Sequence, residues 1–237
     1  MKRLFLFCIL AVGYNAISQN LKVSEEILDE LKTVTLHTEL DTFTLQVKYP
    51  KDYNPEKSYN VFLGLSGGNQ SLKVVNYCYA AWFRSGYFND YFTIMPVVDR
   101  DTINFKSFTN EEVKDLLNGI SKEFNTKPNW LIAGTSNGGE AALNFVEVDP
   151  YRFAGVIVAP GKLGDKIIPT ETWQHLKVIF AYGEKDDKEW YASAKEDVKR
   201  LKKKVKEVHL IKMEGQGHIL TIAYNADKLY DPYFLKK

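Results

Sequence analysis

Cysteine is nearly absent from these 237 residues, with only Cys8 and Cys78 present. So few thiols exclude a cysteine metal cluster, and Cys8 also lacks the small preceding residue that lipid attachment would want. Charge of one sign is missing too. Lys and Arg number 31 against 30 Asp and Glu, a formal net charge of +1, so nothing draws in a polyanion. The one basic run, "KRLKKKVK" at 199–206, closes a helical pattern and reads as a solvated face, so nucleic acid is not an expected partner. The apolar run near the start, Leu4 to Val12, holds about nine residues, well short of the roughly 20 that a helix needs to span a bilayer. Repeats, low-complexity blocks and long Pro/Gly/Ser linkers are all lacking, and the length suits one sizeable core.

That opening stretch has another use. Lys2 and Arg3, the apolar run, and the small-residue site Ala16-Ile17-Ser18 have the layout of a signal peptide over residues 1–18. The expectation is a secreted or periplasmic protein with one domain, 19–237, and no membrane span after cleavage. Removing Lys2 and Arg3 leaves 29 basic against 30 acidic residues, and the net charge passes from +1 to −1. Cys78 is then alone, so no disulfide can form within the mature chain.

What remains alternates strand and helix. Two β-leaning stretches, "KTVTLHTEL" and "TFTLQVKYP", form an antiparallel start, and "DYNPEKSY" supplies turn chemistry before the strand "NVFLGL". Then follow a helix from Ser71 to about Phe83, the strand "YFTIMPVV", a helix from Asn110 to Phe124, and the strand "WLIAGT". A helix from about Gly138, the strands "FAGVIVAP" and "LKVIFAYG", a helix around 188–203, the strand "EVHLIKM" and a final helix after His218 complete the order. The central strands are apolar throughout, as burial on both faces of a parallel sheet requires. The fold class is α/β, doubly wound.

The pattern G-x-S-x-G, which marks the nucleophile of many serine hydrolases, occurs twice: "GLSGG" at 64–68 and "GTSNG" at 134–138. A nucleophile elbow needs a strand, a tight turn holding the serine, and a helix that starts at once. The second copy has all three, which makes Ser136 the candidate nucleophile. In the first, "GGNQ" intervenes before Ser71 can cap a helix. A glycine-rich loop after a buried strand leaves backbone N–H groups free to face a ligand, so Gly68 or Gly67 is expected to serve as an oxyanion donor with the N–H of Asn137.

The base follows by elimination among four histidines. His37 lies in the antiparallel start, His175 precedes a strand at its wrong end, and His209 sits inside "EVHLIKM". His218 follows that strand in the loop "EGQGH", at the sheet edge where open α/β sheets place their sites.

In these features the chain resembles the α/β-hydrolase superfamily, and within it small extracellular esterases related to dienelactone hydrolases, polyhydroxybutyrate depolymerases and the prolyl oligopeptidase catalytic domain. Four segments in order carry the resemblance: "YPKDYNPEKSYNVFLGLSGG", "GTSNGGEAALNFVEVDPYRFAGVIVAPG", "FAYGEKDD" and "EGQGH". One departure is Ser66, where the family often has histidine before the oxyanion glycines. The resemblance implies a mostly parallel twisted sheet with helices on both faces and a triad in the order serine, acid, histidine. Its G-x-x-D spacing puts the acid at Asp186 in "GEKDD", while Asp187 stands beside it as an alternative or as a helix N-cap.

The implied chemistry is acyl transfer. His218 takes the Ser136 proton, Asp186 orients the imidazole, water releases the acyl group, and neither metal nor organic cofactor is required. Only "GKLGDKIIPTETWQH" separates two central strands, too little for a large lid domain. An open site rimmed by Phe105, Phe108, Trp173 and Trp190 suits a small-molecule or polysaccharide-linked ester, acetyl or feruloyl groups on carbohydrate among them. A peptidase or amidase of the same fold and an inactive binding protein on the hydrolase scaffold are the alternatives.

Overall fold

Strands rich in Val, Ile, Phe and Leu build the centre of the protein. The computed structural model describes residues 23–98, 104–164, 167–218 and 226–234. Eight strands form one sheet: β1 Leu31–His37, β2 Thr42–Lys48, β3 Asn60–Leu65, β4 Tyr91–Val97, β5 Trp130–Gly134, β6 Phe153–Val158, β7 Lys177–Gly183 and β8 Glu207–Met213. Their spatial order is β1-β2-β4-β3-β5-β6-β7-β8. β2 runs antiparallel to both β1 and β4, and from β4 onward every pairing is parallel. The sheet is thus the mostly parallel one expected, with the antiparallel start at one edge.

Alternate residues of each central strand feed different cores, because successive strand side chains point to opposite faces. Val61, Leu63, Ile132, Val156 and Val178 join one cluster with helices α3 Asn110–Phe124, α4 Asn137–Val148 and α5 Lys188–Leu201. Phe62, Leu131, Ile157 and Ile179 join the other, with α2 Leu72–Cys78 and the C-terminal residues Leu229 and Tyr230. Between α1 Glu25–Leu28 at the front and α6 Asp231–Phe234 at the end, helices cover both faces.

Three details differ from the sequence expectation. The helix expected over 71–83 is α-helical only to Cys78 and continues as a π-helical turn, Tyr79–Phe83, closed by the Arg84 N–H to the Tyr79 carbonyl at 2.8 Å. Phe105 and Trp173 are fully buried and belong to the core rather than to a rim; the Trp173 indole donates to Glu147 at 2.9 Å. Phe108 also packs against that core. Residues 1–18, expected to form a signal peptide, and the first part of the helix expected after His218 lie outside the described residues. Among the described residues, no helix is long and apolar enough to cross a membrane.

Candidate active site

Ser136 stands between β5 and α4 with φ 52° and ψ −119°, a conformation that L-residues rarely adopt and that packing around it must enforce. The enforcement is visible in the glycines. A Cβ on Gly134 would lie 2.0 Å from the Gly138 carbonyl oxygen, and one on Gly138 would lie 2.1 Å from that of Leu65. Only hydrogen at both positions lets the helix start directly above the strand. The Ser136 N–H donates to the Pro160 carbonyl at 2.6 Å, which ties the turn to the segment after β6.

The carboxyl ends of β7 and β8 bring up the other groups. A Cβ on Gly183 would meet the Gly217 carbonyl oxygen at 2.2 Å, so the bare backbone there lets the loop after β8 close over the loop after β7. The Lys185 N–H to the Gln216 carbonyl, 2.7 Å, fastens the two together. Each carboxylate of "GEKDD" then has a separate task. Glu184 accepts from the Gly215 N–H at 2.9 Å and from Lys212 at 3.1 Å, and these two partners hold its carboxyl below the usual range. Asp187 caps α5 by accepting the Glu189 N–H at 3.0 Å. Asp186 faces His218 Nδ1 at 3.0 and 3.2 Å, and His218 Nε2 is 3.2 Å from Ser136 Oγ. The Asp186 side chain is 5% exposed and that of His218 25%, so the acid is shielded while the base keeps access to a ligand.

The glycine loop after β3 lies directly against this turn. A Cβ on Gly67 would be 2.7 Å from the Thr135 carbonyl oxygen and 3.2 Å from the Ser136 Cβ. The Asn137 side-chain amide donates to the Gly68 carbonyl at 3.3 Å, linking loop and helix. Burial pushes the pKa of the Cys78 thiol beneath this loop up to about 12. The N–H groups of Gly67, of Gly68 at φ 60° and of Asn137 have no backbone acceptor among the described residues. Ser66 is buried at 1% exposure, and its hydroxyl has no hydrogen-bond partner among the described residues.

No family model and no curated protein matches the chain. Solved structures do. Thermogutta terrifontis esterase 2 superposes with a TM-score of 0.64 at 14% identity, over 86% of this chain and 91% of that one. A mutant of the feruloyl esterase module from Clostridium thermocellum, complexed with sinapinate, gives 0.61 at 14% over 88% and 90%. A thermostable esterase gives 0.61 at 20%, over 79% of this chain but 56% of its own, so the chain spans little more than half of that protein. The chain has the α/β-hydrolase fold.

Within this α/β-hydrolase fold, the other three histidines stand apart from Ser136. His37 bonds Thr42 at 3.0 Å, His175 lies on the Pro150 and Phe153 carbonyls, and His209 pairs with Glu207 at 2.6 Å. Of the four expected rim aromatics, Trp190 alone reaches the site. Its ring centroid is 4.9 Å from that of His218, with the Lys162 ammonium 4.6 Å above the indole.

One contributor was absent from the sequence reading. Gln70 is fully buried at φ 57°, and all four of its polar groups are used. Its amide donates to the Ser66 carbonyl at 2.9 Å and accepts the Phe105 N–H at 2.9 Å. Its backbone bonds Gly67 and Val98 at 3.2 and 3.0 Å. Gln70 therefore clamps the glycine loop to the end of β4 and to the segment before α3. The only signal in the sequence was a long polar residue directly after a glycine loop, and no periodicity marks such a residue as buried.

Proposed function

We propose that the protein is an exported serine esterase. In this reading Ser136 attacks an ester carbonyl while His218 removes its proton, and Asp186 fixes the imidazole tautomer and stabilises the imidazolium. The Gly68 and Asn137 N–H groups receive the oxyanion, where a single donor is worth about 3 to 4 kcal/mol. His218 passes that proton to the departing alcohol, then takes one from the water that attacks the acyl-enzyme and gives it to Ser136 as the acid leaves. The observation that carries the reading is the hydrogen-bonded line from Asp186 through His218 to a serine held at φ 52°. Esterases among the structural neighbours support it.

The substrate class follows from the surroundings of Ser136. Trp190 offers a flat apolar surface beside His218, and such a surface stacks on a sugar ring or an aromatic acyl group. The described residues between β6 and β7 hold only a three-residue helical turn, Glu171–Trp173, which suits an open site. Acetyl or feruloyl esters of carbohydrate fit both features, and secretion would bring the protein to them. The test is a panel of p-nitrophenyl acetate, methyl ferulate and acetylated xylan, set against aminoacyl-p-nitroanilides. Ester turnover that disappears in Ser136→Ala is the expected result. Turnover of the anilides alone would make the protein an amidase, and no turnover of either would leave a binding protein on this scaffold.

A further inference from the structure

The segment that follows β6 passes beside the candidate nucleophile and is held at two points. Its Pro160 carbonyl accepts the Ser136 N–H at 2.6 Å. Farther along, α5 grips Leu163 on both sides of its peptide: the Asp197 carboxylate accepts the Leu163 N–H at 2.8 Å, and Arg200 donates to the Leu163 carbonyl at 3.2 Å. Arg200 also reaches the Ile167 carbonyl at 3.0 Å. Asp197 is 5% exposed, so this fastening is a buried one.

Lys162 lies between the two anchors. A lysine on a free loop spreads its charge over many rotamers, and fixing one costs side-chain entropy. Here the backbone is fixed on either side, and the half-buried side chain lays its ammonium 4.6 Å from the ring centroid of Trp190, a residue of the same helix α5. A cation over an indole is held by the negative face of the ring, which engages none of the three N–H donors of an ammonium. Among the described residues Lys162 forms no ion pair or hydrogen bond, its one polar contact being that with Trp190. The acids of the neighbouring elements are engaged elsewhere: Asp186 with His218, Asp187 with the Glu189 N–H, and Asp197 with Leu163 and Arg200. The site thus holds a positioned cation whose donors are free for an acceptor from outside.

The reaction says where that acceptor lies on a substrate. Trp190 stands between the ammonium and the candidate base, with its centroid 4.9 Å from that of His218. In the ester reading, on which this inference rests, His218 hands its proton to the departing alcohol, so the alcohol oxygen sits at the imidazole and the rest of that group extends toward Trp190 and Lys162. We propose that Lys162 is a specificity-determining residue that selects esters whose alcohol part is one ring in length and carries a carboxylate at its far end, where the ammonium meets it.

Steady-state kinetics with 4-acetoxybenzoate and its uncharged methyl ester test the assignment, because the two share an acetyl group and differ in the charge on the alcohol part. The ratio of kcat/KM for the anion to that for the methyl ester should fall about tenfold in both Lys162→Met and Lys162→Gln, as loss of a charge-assisted contact predicts. Lys162→Arg should keep most of the ratio. Added salt should shrink it in the wild type, since a partly exposed charge is screened, and change it little in Lys162→Met. A structural role for Lys162 would slow both esters alike and leave the ratio unchanged. That result, or a wild-type ratio indifferent to salt, would overturn the inference while ester turnover itself still stood. Turnover of neither ester by the wild type would remove the ester reading and this inference with it.

Discussion

At the scale of single residues, the three neighbouring acids make the sharpest comparison, because each carboxylate has a different partner. Asp186→Asn keeps the shape but cannot hold the His218 Nδ1–H in the same way, and ester turnover should fall about 10⁴-fold with little change in melting temperature. Asp187→Ala should do the reverse: lose about 1 kcal/mol of stability with the N-cap and keep turnover within a few-fold. Steady-state kinetics and thermal melts on both variants check this. Gln70→Met tests the clamp. It leaves the Ser66 carbonyl and the Phe105 N–H unpaired, each costing about 1–3 kcal/mol, and lets the glycine loop drift from the oxyanion position. kcat should fall with KM nearly constant, whereas a purely structural role would lower stability and leave kcat of the folded fraction unchanged. Ser136 could be anticipated from its strand–turn–helix context, His218 by elimination among four histidines, and Asp186 only from the G-x-x-D spacing of the family that the chain resembles. Gln70 was not, since its partners at Ser66, Val98 and Phe105 are brought together only by the fold.

At the scale of elements, the turn from β5 to α4 depends on glycine at two places where backbone meets backbone. Gly138→Ala would drive a methyl group into the Leu65 carbonyl, 2.1 Å away, while at Gly86 a methyl group meets nothing within 4 Å. The first change should destabilise by about 3 kcal/mol or more and the second by less than about 0.5 kcal/mol, read from urea melts followed by circular dichroism. Helix and strand types were readable from apolar periodicity, and the strand cores came close to their observed bounds. The π-helical turn at Tyr79–Phe83 was not readable, because over a single turn a wider helical pitch leaves no distinct apolar spacing. Phe105 and Trp173 mislead for a related reason: an aromatic after a strand looks the same in sequence whether it faces the core or the site.

At the scale of the whole molecule, two antiparallel pairings and a parallel series place the ends of β3, β5, β7 and β8 along one edge. The class of sheet could be read from its all-apolar strands. The order β1-β2-β4-β3, in which a later strand inserts beside an earlier one, could not, since it arises from pairings between residues far apart in sequence. That edge gathers Ser136, Asp186, His218 and the glycine loop, and the proposal of acyl transfer rests on their convergence. Mass-spectrometric mapping after reaction with a fluorophosphonate, which labels an activated serine, tests it most directly. The account predicts one adduct per chain, on Ser136, lost in Ser136→Ala and His218→Ala and retained in Ser66→Ala. An adduct on Ser66, or labelling that survives Ser136→Ala, would contradict it.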